Sequence, residues 1–414
     1  MANLEAIDLF EIRIKKMKRD YLLLLLIFCV ALSLRMAYLD QVANEFPISD
    51  EAGYDAAAMD LLNGQGYKMS GYRSYQPPGY PAFLAVVYKL FGHNYVRVKI
   101  IQALLGSLGC LLIYLVAKMV FNSKVALISA LIYAAYDGLI FLNGHLLTEN
   151  IFIILELLAI IGLLNFASTK SKLSLALSGI LIGLAALSRT QIIFSVPFIF
   201  LWIAIVSKEK LFYSFLLFLF IGLTISPWTI RNYLIHHRLV PIATYSGESL
   251  YRFNYPNGIN VELARERKRF KELGLKEADM NSYYFKRVFE HIKENPKTYF
   301  FDFFIPKLNW NLNEFFFGNY IWFPCSKPGV KISYVPLISW RILSLFSFMG
   351  LLLSFRVWRK ASLFYLYLIP YLTMMLIILF SWTRFRLSIV PFFIIFAAFA
   401  IYSIFSKELM ETEI

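Results

Sequence analysis

Ten apolar runs constrain this chain more than any other feature: Tyr21–Leu39, Ile100–Val120, Val125–Leu142, Ile151–Phe166, Leu173–Leu187, Ile192–Val206, Leu211–Trp228, Ile342–Phe355, Leu363–Phe380 and Leu387–Phe405. Most approach the length needed to cross about 30 Å of hydrocarbon. Backbone in hydrocarbon must satisfy its own hydrogen bonds, so each run is expected to be helical. The chain has 414 residues, of which 59% are hydrophobic and only 16% charged. A soluble domain carries roughly a quarter charged residues, and a soluble core of this size could not hide so much apolar surface. The expected fold is an all-α integral membrane protein of about ten transmembrane helices, with two large non-cytoplasmic loops carrying interfacial helices.

The charges give these runs a direction. Lys15–Arg19, Lys118/Lys124, Lys170/Lys172, Lys208/Lys210, Arg356/Arg359/Lys360 and Lys407 occupy alternate connections. If the first helix runs outward, all six sets fall on one side, which the positive-inside rule assigns to the cytoplasm together with both termini. The net charge of +14 is dispersed in such pairs, which excludes a nucleic-acid face. The first run resembles a signal sequence in outline. It is too long to be a cleavable one, and its small-x-small stretch Ala31-Leu-Ser33 lies inside the run, so a signal anchor is expected. Cys29 and Cys110 lie in apolar runs and Cys325 in a loop, which provides no disulfide framework or metal pair. No repeat resembling paired transporter halves is visible.

The opposite side receives Asp40–Lys99, the turns Asn143–Asn150, Ser188–Gln191 and Ser381–Arg386, and a large segment from Thr229 to about Arg341. Tyr80–Phe91 is apolar but too short to cross, as expected of an interfacial helix. Glu262–Lys293, dense in mixed charge, reads as a solvated helix, and Thr298–Phe317 as a helix along the membrane surface. The organisation expected is an N-terminal transmembrane module over 1–230, an outer segment over 231–341 and C-terminal helices over 342–414. Function is expected on the non-cytoplasmic face of a cell membrane, the inner membrane if the host is bacterial.

Four groups could carry chemistry there. Asp50-Glu51-Ala-Gly-Tyr54-Asp55 follows the first helix. An acid near a low-dielectric boundary suits a general base, while the plain alternative is a helix start capped by Ser49 or Asp50. The segment from Tyr72 to Pro81, with Tyr80 near its end, fixes a rigid turn through its prolines and glycine. His145 and Glu149, four apart, are expected to share a helix face. They could hold a divalent metal, orient a substrate hydroxyl or cap the next helix. Glu156, seven residues on, would cost about 2.5–3.5 kcal/mol in lipid and should face protein. Finally, Arg35, Arg189, Arg231 and Arg384/Arg386 lie near the same boundary. They could snorkel to lipid phosphates, or converge on a phosphate leaving group that guanidinium binds bidentately. There is no P-loop, HExxH, GxSxG or DxD motif, and Gly64-Gln-Gly66 completes no nucleotide fingerprint. A donor anchored in the bilayer would remove the need for a cytosolic nucleotide sugar.

Asp50-Glu51-x-x-Tyr54, Gln76-Pro-Pro-Gly-Tyr-Pro81, Leu147-Thr-Glu149, Ser188-Arg189, Pro227-Trp-Thr-Ile-Arg-Asn232, Asn295-Pro296 with Lys307, and Arg384-Phe-Arg386 before Pro391 occur in that order. As a set they resemble the GT-C membrane glycosyltransferases, in the branch of protein O-mannosyltransferases and lipid A aminoarabinose transferases. The resemblance implies a polyprenyl- or dolichyl-phosphate sugar donor and inverting transfer to a glycan, lipid or protein acceptor. It places the catalytic acid on Asp50 with Glu51 beside it, and makes Tyr54, Tyr80, His145, Glu149, Arg189, Arg231 and Arg384 the expected substrate-binding set. No cofactor is required throughout such enzymes; some relatives use a divalent cation and others do not. The rival readings are a transporter or flippase of a lipid-linked sugar, which predicts deep polar groups and discontinuous helices, and a non-catalytic scaffold.

Overall fold

The structure is a computed structural model and describes residues 2–254, 261–306, 337–373 and 383–406. The described residues are helical with no strand; a single bridge joins Met69 and Tyr72. In chain order the helices are α1 (Ala2–Val42), α2 (Asp50–Leu62), α3 (Gly79–Phe91), α4 (Tyr95–Val120), α5 (Ser123–Ala135), α6 (Asp137–Asn143), α7 (Glu149–Thr169), α8 (Lys172–Ser188), α9 (Val196–Val206), α10 (Lys210–His236), α11 (Tyr245–Asn254), α12 (Val261–Glu272) and α13 (Glu277–Glu294). The helices Trp340–Leu353, Trp358–Thr373 and Val390–Phe405 follow.

Among the described residues, five helices are long and apolar enough to cross a membrane, and six if the bent pair α5–α6 counts as one span. Lys172–Ser188, Thr190–Val206 and Val390–Phe405 are shorter apolar helices, as is Gly79–Phe91. The expected helix count of about ten therefore exceeds what length and composition give here. The reasons are local. The run Val125–Leu142 bends by 55° between α5 and α6. The run from Ile192 opens with a 3-10 turn, Thr190–Ser195, before α9. Residues 374–382, which complete the run to Phe380, lie outside the described residues, as do Cys325 and Lys407.

Burial separates central from peripheral helices. The apolar windows of α4 and α7 are 56% and 50% buried, whereas those of α1 and α10 are only 22% buried. Leucines and phenylalanines line the exposed side of those two helices, among them Leu22, Leu25, Leu211, Phe215 and Phe218, the arrangement expected where lipid replaces water as solvent. The core joins α4, α5, α7 and α8 with Val390–Phe405 and Trp340–Leu353.

The α5–α6 break exposes backbone carbonyls that the next helical turn would otherwise have satisfied. Arg35 of α1 is 1% exposed and donates to the carbonyls of Ala134 (3.2 Å) and Ala31 (3.0 Å) and to Asn143 Oδ1 (2.8 Å). It therefore fastens both ends of the bent segment to α1 instead of snorkelling to lipid. Lys99, which the sequence puts at a loop end, is a buried residue of α4. It donates to Val42 O (2.7 Å) and Glu45 O (3.2 Å), capping the end of α1.

Two expectations for the large segments are refined. Glu262–Lys293 is two helices, α12 and α13, meeting near Gly274. Of the surface helix expected over Thr298–Phe317, a short turn at Pro296–Tyr299 and a π-turn at Phe300–Phe304 are described, and the rest, including Lys307, lies outside the described residues. Helix α3 starts against the end of α8. A Cβ on Gly79 would sit 2.7 Å from Leu187 O and 2.5 Å from Ser188 Oγ, which explains the glycine within the Gln-Pro-Pro-Gly-Tyr-Pro segment. Gly79→Ala should therefore push α3 off α8 and lower stability by about 1–3 kcal/mol. Gly222→Ala, on α10 with nothing within 4 Å, should be neutral or slightly stabilising. Thermal unfolding of the detergent-solubilised protein reads both; equal midpoints for the two variants would contradict the packing.

Candidate active site

The site begins where α1 ends. Ser49 adopts φ 53°, ψ −121° and makes no side-chain cap bond, so the expected capping by its hydroxyl is not how α2 starts. That backbone conformation is costly for a residue with a side chain and is typical of positions fixed by their surroundings. It turns the chain so that Asp50 and Glu51 form the first turn of α2, where free N–H groups favour negative charge. Glu51 points inward and is 4% exposed, while Asp50 is half-buried.

Glu51 is fixed from both sides. Its Oε1 lies 2.9 Å from His145 Nδ1 and its Oε2 accepts the Leu146 amide at 3.2 Å. His145 Nε2 in turn meets the Tyr38 hydroxyl of α1 at 3.1 Å. His145 is not on a helix, contrary to expectation: α6 ends at Asn143 and α7 starts at Glu149, so the pair does not share a helical face. The intervening turn persists because amide side chains take its carbonyls. Asn150 Nδ2 donates to Leu142 O (2.8 Å), His145 O (3.0 Å) and Leu147 O (3.1 Å), and Gln102 Nε2 to Asn143 O and His145 O. Gly106 of α4 leaves room for the Asn143 side chain, which a Cβ there would overlap.

Tyr54 and Tyr80 are both buried and meet edge to face with centroids 5.4 Å apart. Tyr54 donates to Gln76 Oε1 at 2.8 Å and Tyr80 to Gln102 Oε1 at 2.5 Å. Asp55 accepts from the hydroxyls of Tyr88 (2.6 Å) and Tyr95 (3.1 Å) and lies 2.8 Å from His93 Nε2. These bonds lock α2 onto α3 and the start of α4.

A second buried layer surrounds Glu149, which is 0% exposed. Arg189 NH1 lies 2.7 Å from its Oε1, and Thr148 Oγ1 donates to its Oε2 at 3.0 Å. The Arg189 guanidinium also lies 4.9 Å over the Phe385 ring, and Gln191 joins Ser388 at 3.1 Å. Arg189 Nε is buried with no hydrogen-bond partner among the described residues. Deeper on α7, Glu156 faces protein as its cost in lipid requires, and accepts from Tyr367 (2.7 Å) and Tyr371 (3.1 Å).

Arg231 lies elsewhere. α10 continues past Pro227 to His236, and Arg231 donates to Arg73 O, Tyr67 O (3.0 Å) and Ser74 Oγ (3.1 Å) while stacking 4.4 Å over Trp228. It clamps the first large segment and shares no partner with Arg189. Arg384 sits in the single turn Thr383–Arg386; its side chain lies outside the described residues.

Sequence reasoning missed the contribution of the second large segment. Thr244 N donates to Ser74 O (2.9 Å) and Tyr245 N to Tyr75 O (3.0 Å). Glu277 accepts the amides of Arg73 (2.9 Å) and Ser74 (3.0 Å). Tyr245 is thereby held to the first large segment, and burial pushes its phenol up to about 12, with Arg252 opposing the rise and Asp50 and Glu248 adding to it. No motif marks Tyr245. Gln102, Asn143 and Asn150 were missed too, although uncharged polar residues inside or beside apolar runs are a readable signal.

Because Arg189 and Glu149 are both buried, removing either alone leaves a buried charge exposed to a low dielectric, at a cost of about 3–5 kcal/mol. Arg189→Met and Glu149→Leu should each depress the unfolding midpoint more than the double variant does. A double variant less stable than either single one would show that the two do not act as a pair.

Residues 75–230 match the family model described as dolichyl-phosphate-mannose-protein mannosyltransferase. No protein of curated function matches the chain by sequence. Among solved structures, the chain is similar to the oligosaccharyltransferase of Archaeoglobus fulgidus tethered with an acceptor peptide, with TM-score 0.60 and 16% identity over 95% of this chain and 50% of that one. The same Archaeoglobus enzyme, AglB, in complex with an inhibitory peptide and a dolichol-phosphate gives TM-score 0.58 and 15% identity over 96% and 52%. ArnT from Cupriavidus metallidurans bound to undecaprenyl phosphate gives TM-score 0.57 and 14% identity over 91% and 59%. The chain thus spans between half and three-fifths of the length of these structures, and at such identities the likeness is one of fold. The match to a mannosyltransferase family model over residues 75–230, with the likeness of fold to an oligosaccharyltransferase and to ArnT, agrees with the resemblance drawn from the ordered motifs.

Proposed function

We propose that the chain moves a sugar from a polyprenyl-phosphate or dolichyl-phosphate donor to an acceptor hydroxyl on the non-cytoplasmic face of a cell membrane, with inversion and with Asp50 as general base. The observation that carries this reading is the contrast between two adjacent acids at the start of α2. Glu51 is buried and bonded to His145 and the Leu146 amide, and Asp50, the more exposed of the two, opens the same turn. The family match over 75–230 and the lipid phosphates bound to the structural relatives support a lipid-linked donor.

In the proposed step the Asp50 carboxylate takes the proton of the acceptor hydroxyl as that oxygen attacks the anomeric carbon. The bond from that carbon to the phosphate oxygen breaks, and the lipid phosphate leaves with the electron pair. Attack opposite the leaving group inverts the centre. Arg189 faces the departing phosphate through its Nε, held by Glu149, and supplies a preorganised positive charge as negative charge develops. Glu51 and His145 position Asp50, Tyr54 and Tyr80 fix the loop around it, Arg231 holds the first large segment in shape, and Arg384 is a second cation for the phosphate. One structure of the Archaeoglobus enzyme holds Zn and sulfate. Among the described residues of this chain no three His, Cys, Asp or Glu side chains converge, and Glu51 and Glu149 are each engaged by a protein partner, so no step is assigned to a cation.

The proposed topology keeps ten crossings. It takes the bent α5–α6 pair as one, Lys172–Ser188, Thr190–Val206 and Val390–Phe405 as full crossings, and Trp340–Thr373 as two, with both termini cytoplasmic. The modules 1–230, 231–341 and 342–414 follow from it. A transporter of lipid-linked sugars draws some support from the break between α5 and α6 and from the buried Arg35, Asp137 and Glu156. Each of these groups, however, bonds within the protein: Arg35 to Asn143, Glu156 to Tyr367, and Asp137 to the Ile338 amide. They tie helices together.

Asp50→Asn should lower transfer by about 10²–10⁴-fold, the contribution of a positioned general base, with membrane insertion and undecaprenyl-phosphate binding retained. Surface glycan and lipid mass spectrometry of a deletion strain complemented with each form reads the result. Complementation by Asp50→Asn equal to wild type would remove the assignment.

A further inference from the structure

Three tyrosines of the two large segments have no role in the reading above. Tyr72 and Tyr75 come from the first large segment and Tyr245 from the start of α11. The Tyr72 and Tyr75 rings stack with centroids 5.3 Å apart at 24°, and Tyr245 meets Tyr75 at 4.9 Å and 63°. Tyr75 is the buried wedge: its hydroxyl donates to Glu248 Oε1 at 2.7 Å, and the Arg267 guanidinium lies 5.5 Å over its ring. Tyr72 and Tyr245, on either side, are half-exposed. Glu248 is shared by Arg267, whose Nε donates at 3.1 Å, and Arg252, at 3.4 Å. Arg267 also donates through a terminal nitrogen to Glu248 Oε1 and to the Tyr75 hydroxyl, and Arg252 Nε has no hydrogen-bond partner among the described residues.

We propose that Tyr72, Tyr245 and Arg267 form the acceptor subsite, and that the acceptor is a sugar ring, carried by a glycan or a glycolipid headgroup. The proposal rests on the transferase reading and names what that site would accept. A pyranose has an apolar C–H face and a rim of hydroxyls, and tyrosine offers a flat apolar face with a polar tip at little entropic cost. Rigid rings backed by a buried wedge, with guanidinium donors beside them, match both parts of such a ligand. Recognition of an extended polypeptide commonly adds a strand to a sheet edge, and the described residues contain no sheet. Gln76, next to Tyr75 in the chain, accepts from the Tyr54 hydroxyl one helical turn after Asp50, which joins the subsite to the helix of the candidate base.

The test uses the full chain in nanodiscs and a binding readout that needs no turnover. Saturation-transfer NMR with methyl α-mannoside, methyl β-glucoside and a threonine-containing peptide should transfer saturation to the ring C–H protons of a glycoside and not to the peptide. Tyr245→Ala and Tyr72→Ala should each weaken glycoside binding about threefold to tenfold, with Tyr245→Trp restoring it. Binding of tritiated undecaprenyl phosphate should be unchanged in all variants. Nanodiscs containing monoglucosyl diacylglycerol, if they compete with the glycoside, assign the ring to a glycolipid; their failure to compete assigns it to a free glycan. Peptide binding without glycoside binding, or unaltered glycoside affinity in Tyr245→Ala, overturns the subsite alone. Absent undecaprenyl-phosphate binding by the wild-type protein would overturn the transferase reading beneath it, so the two failures are separable.

Discussion

The buried carboxylate of Glu51 is the contact on which the geometry of the site depends. It is the point where α2, the α6–α7 turn and, through His145, α1 are joined. A carboxylate accepting two N–H bonds tolerates burial because its charge is spread over fixed donors. Once Glu51 is fixed, the first turn of α2 can rotate very little, and the residue before it is set at the half-buried edge. The unfavourable φ of Ser49 is the conformational cost of that placement.

The charged layer below obeys a different rule. Glu149 and Arg189 are both removed from solvent, and two isolated buried ions would be far too costly. Their direct contact, with Thr148 and Gln191 filling remaining hydrogen-bond positions, makes burial tolerable and leaves Arg189 Nε without a hydrogen-bond partner among the described residues. Arg231 shows the opposite outcome for the same residue type. Surrounded by carbonyls of Tyr67 and Arg73 and stacked on Trp228, it is used up in holding a loop. Position along the chain could not distinguish these two arginines, because both follow the end of an apolar run.

The apolar helices, the all-helical fold and a helix start at Asp50 were legible because apolar run length and helix-start residues are strong, local signals. The helix breaks were less so. Val125–Leu142 reads as one uninterrupted run, yet bends at Tyr136, where the Ala134 carbonyl is taken by Arg35 from a different helix, and no window of sequence contains that partner. The expected face shared by His145 and Glu149 failed for a related reason: Gly144 and the amides of Asn150 and Gln102 stabilise a turn where spacing alone suggested helix. Tyr245 was invisible altogether. It reaches the site through backbone bonds to Tyr75, 170 residues earlier, a pairing that only the folded second segment creates.

The chemistry of the supporting shell follows from its location. Around the acids, most connections are made by amides and phenols: Asn143, Asn150, Gln102, Tyr38, Tyr54 and Tyr80. Uncharged groups can satisfy backbone carbonyls and each other without the desolvation cost of an ion, and they do not alter the local field. Had lysines or additional carboxylates filled these positions, each would have demanded its own counter-charge and blurred the contrast between neighbouring acids. A network of neutral hydrogen bonds instead leaves the electrostatics here to a few groups: the Glu149–Arg189 pair, Glu51 anchored by His145, the buried Arg35 and Lys99, and Asp50. A scaffold that is polar enough to be rigid but carries little charge is what the proposed role of Asp50 as a base requires.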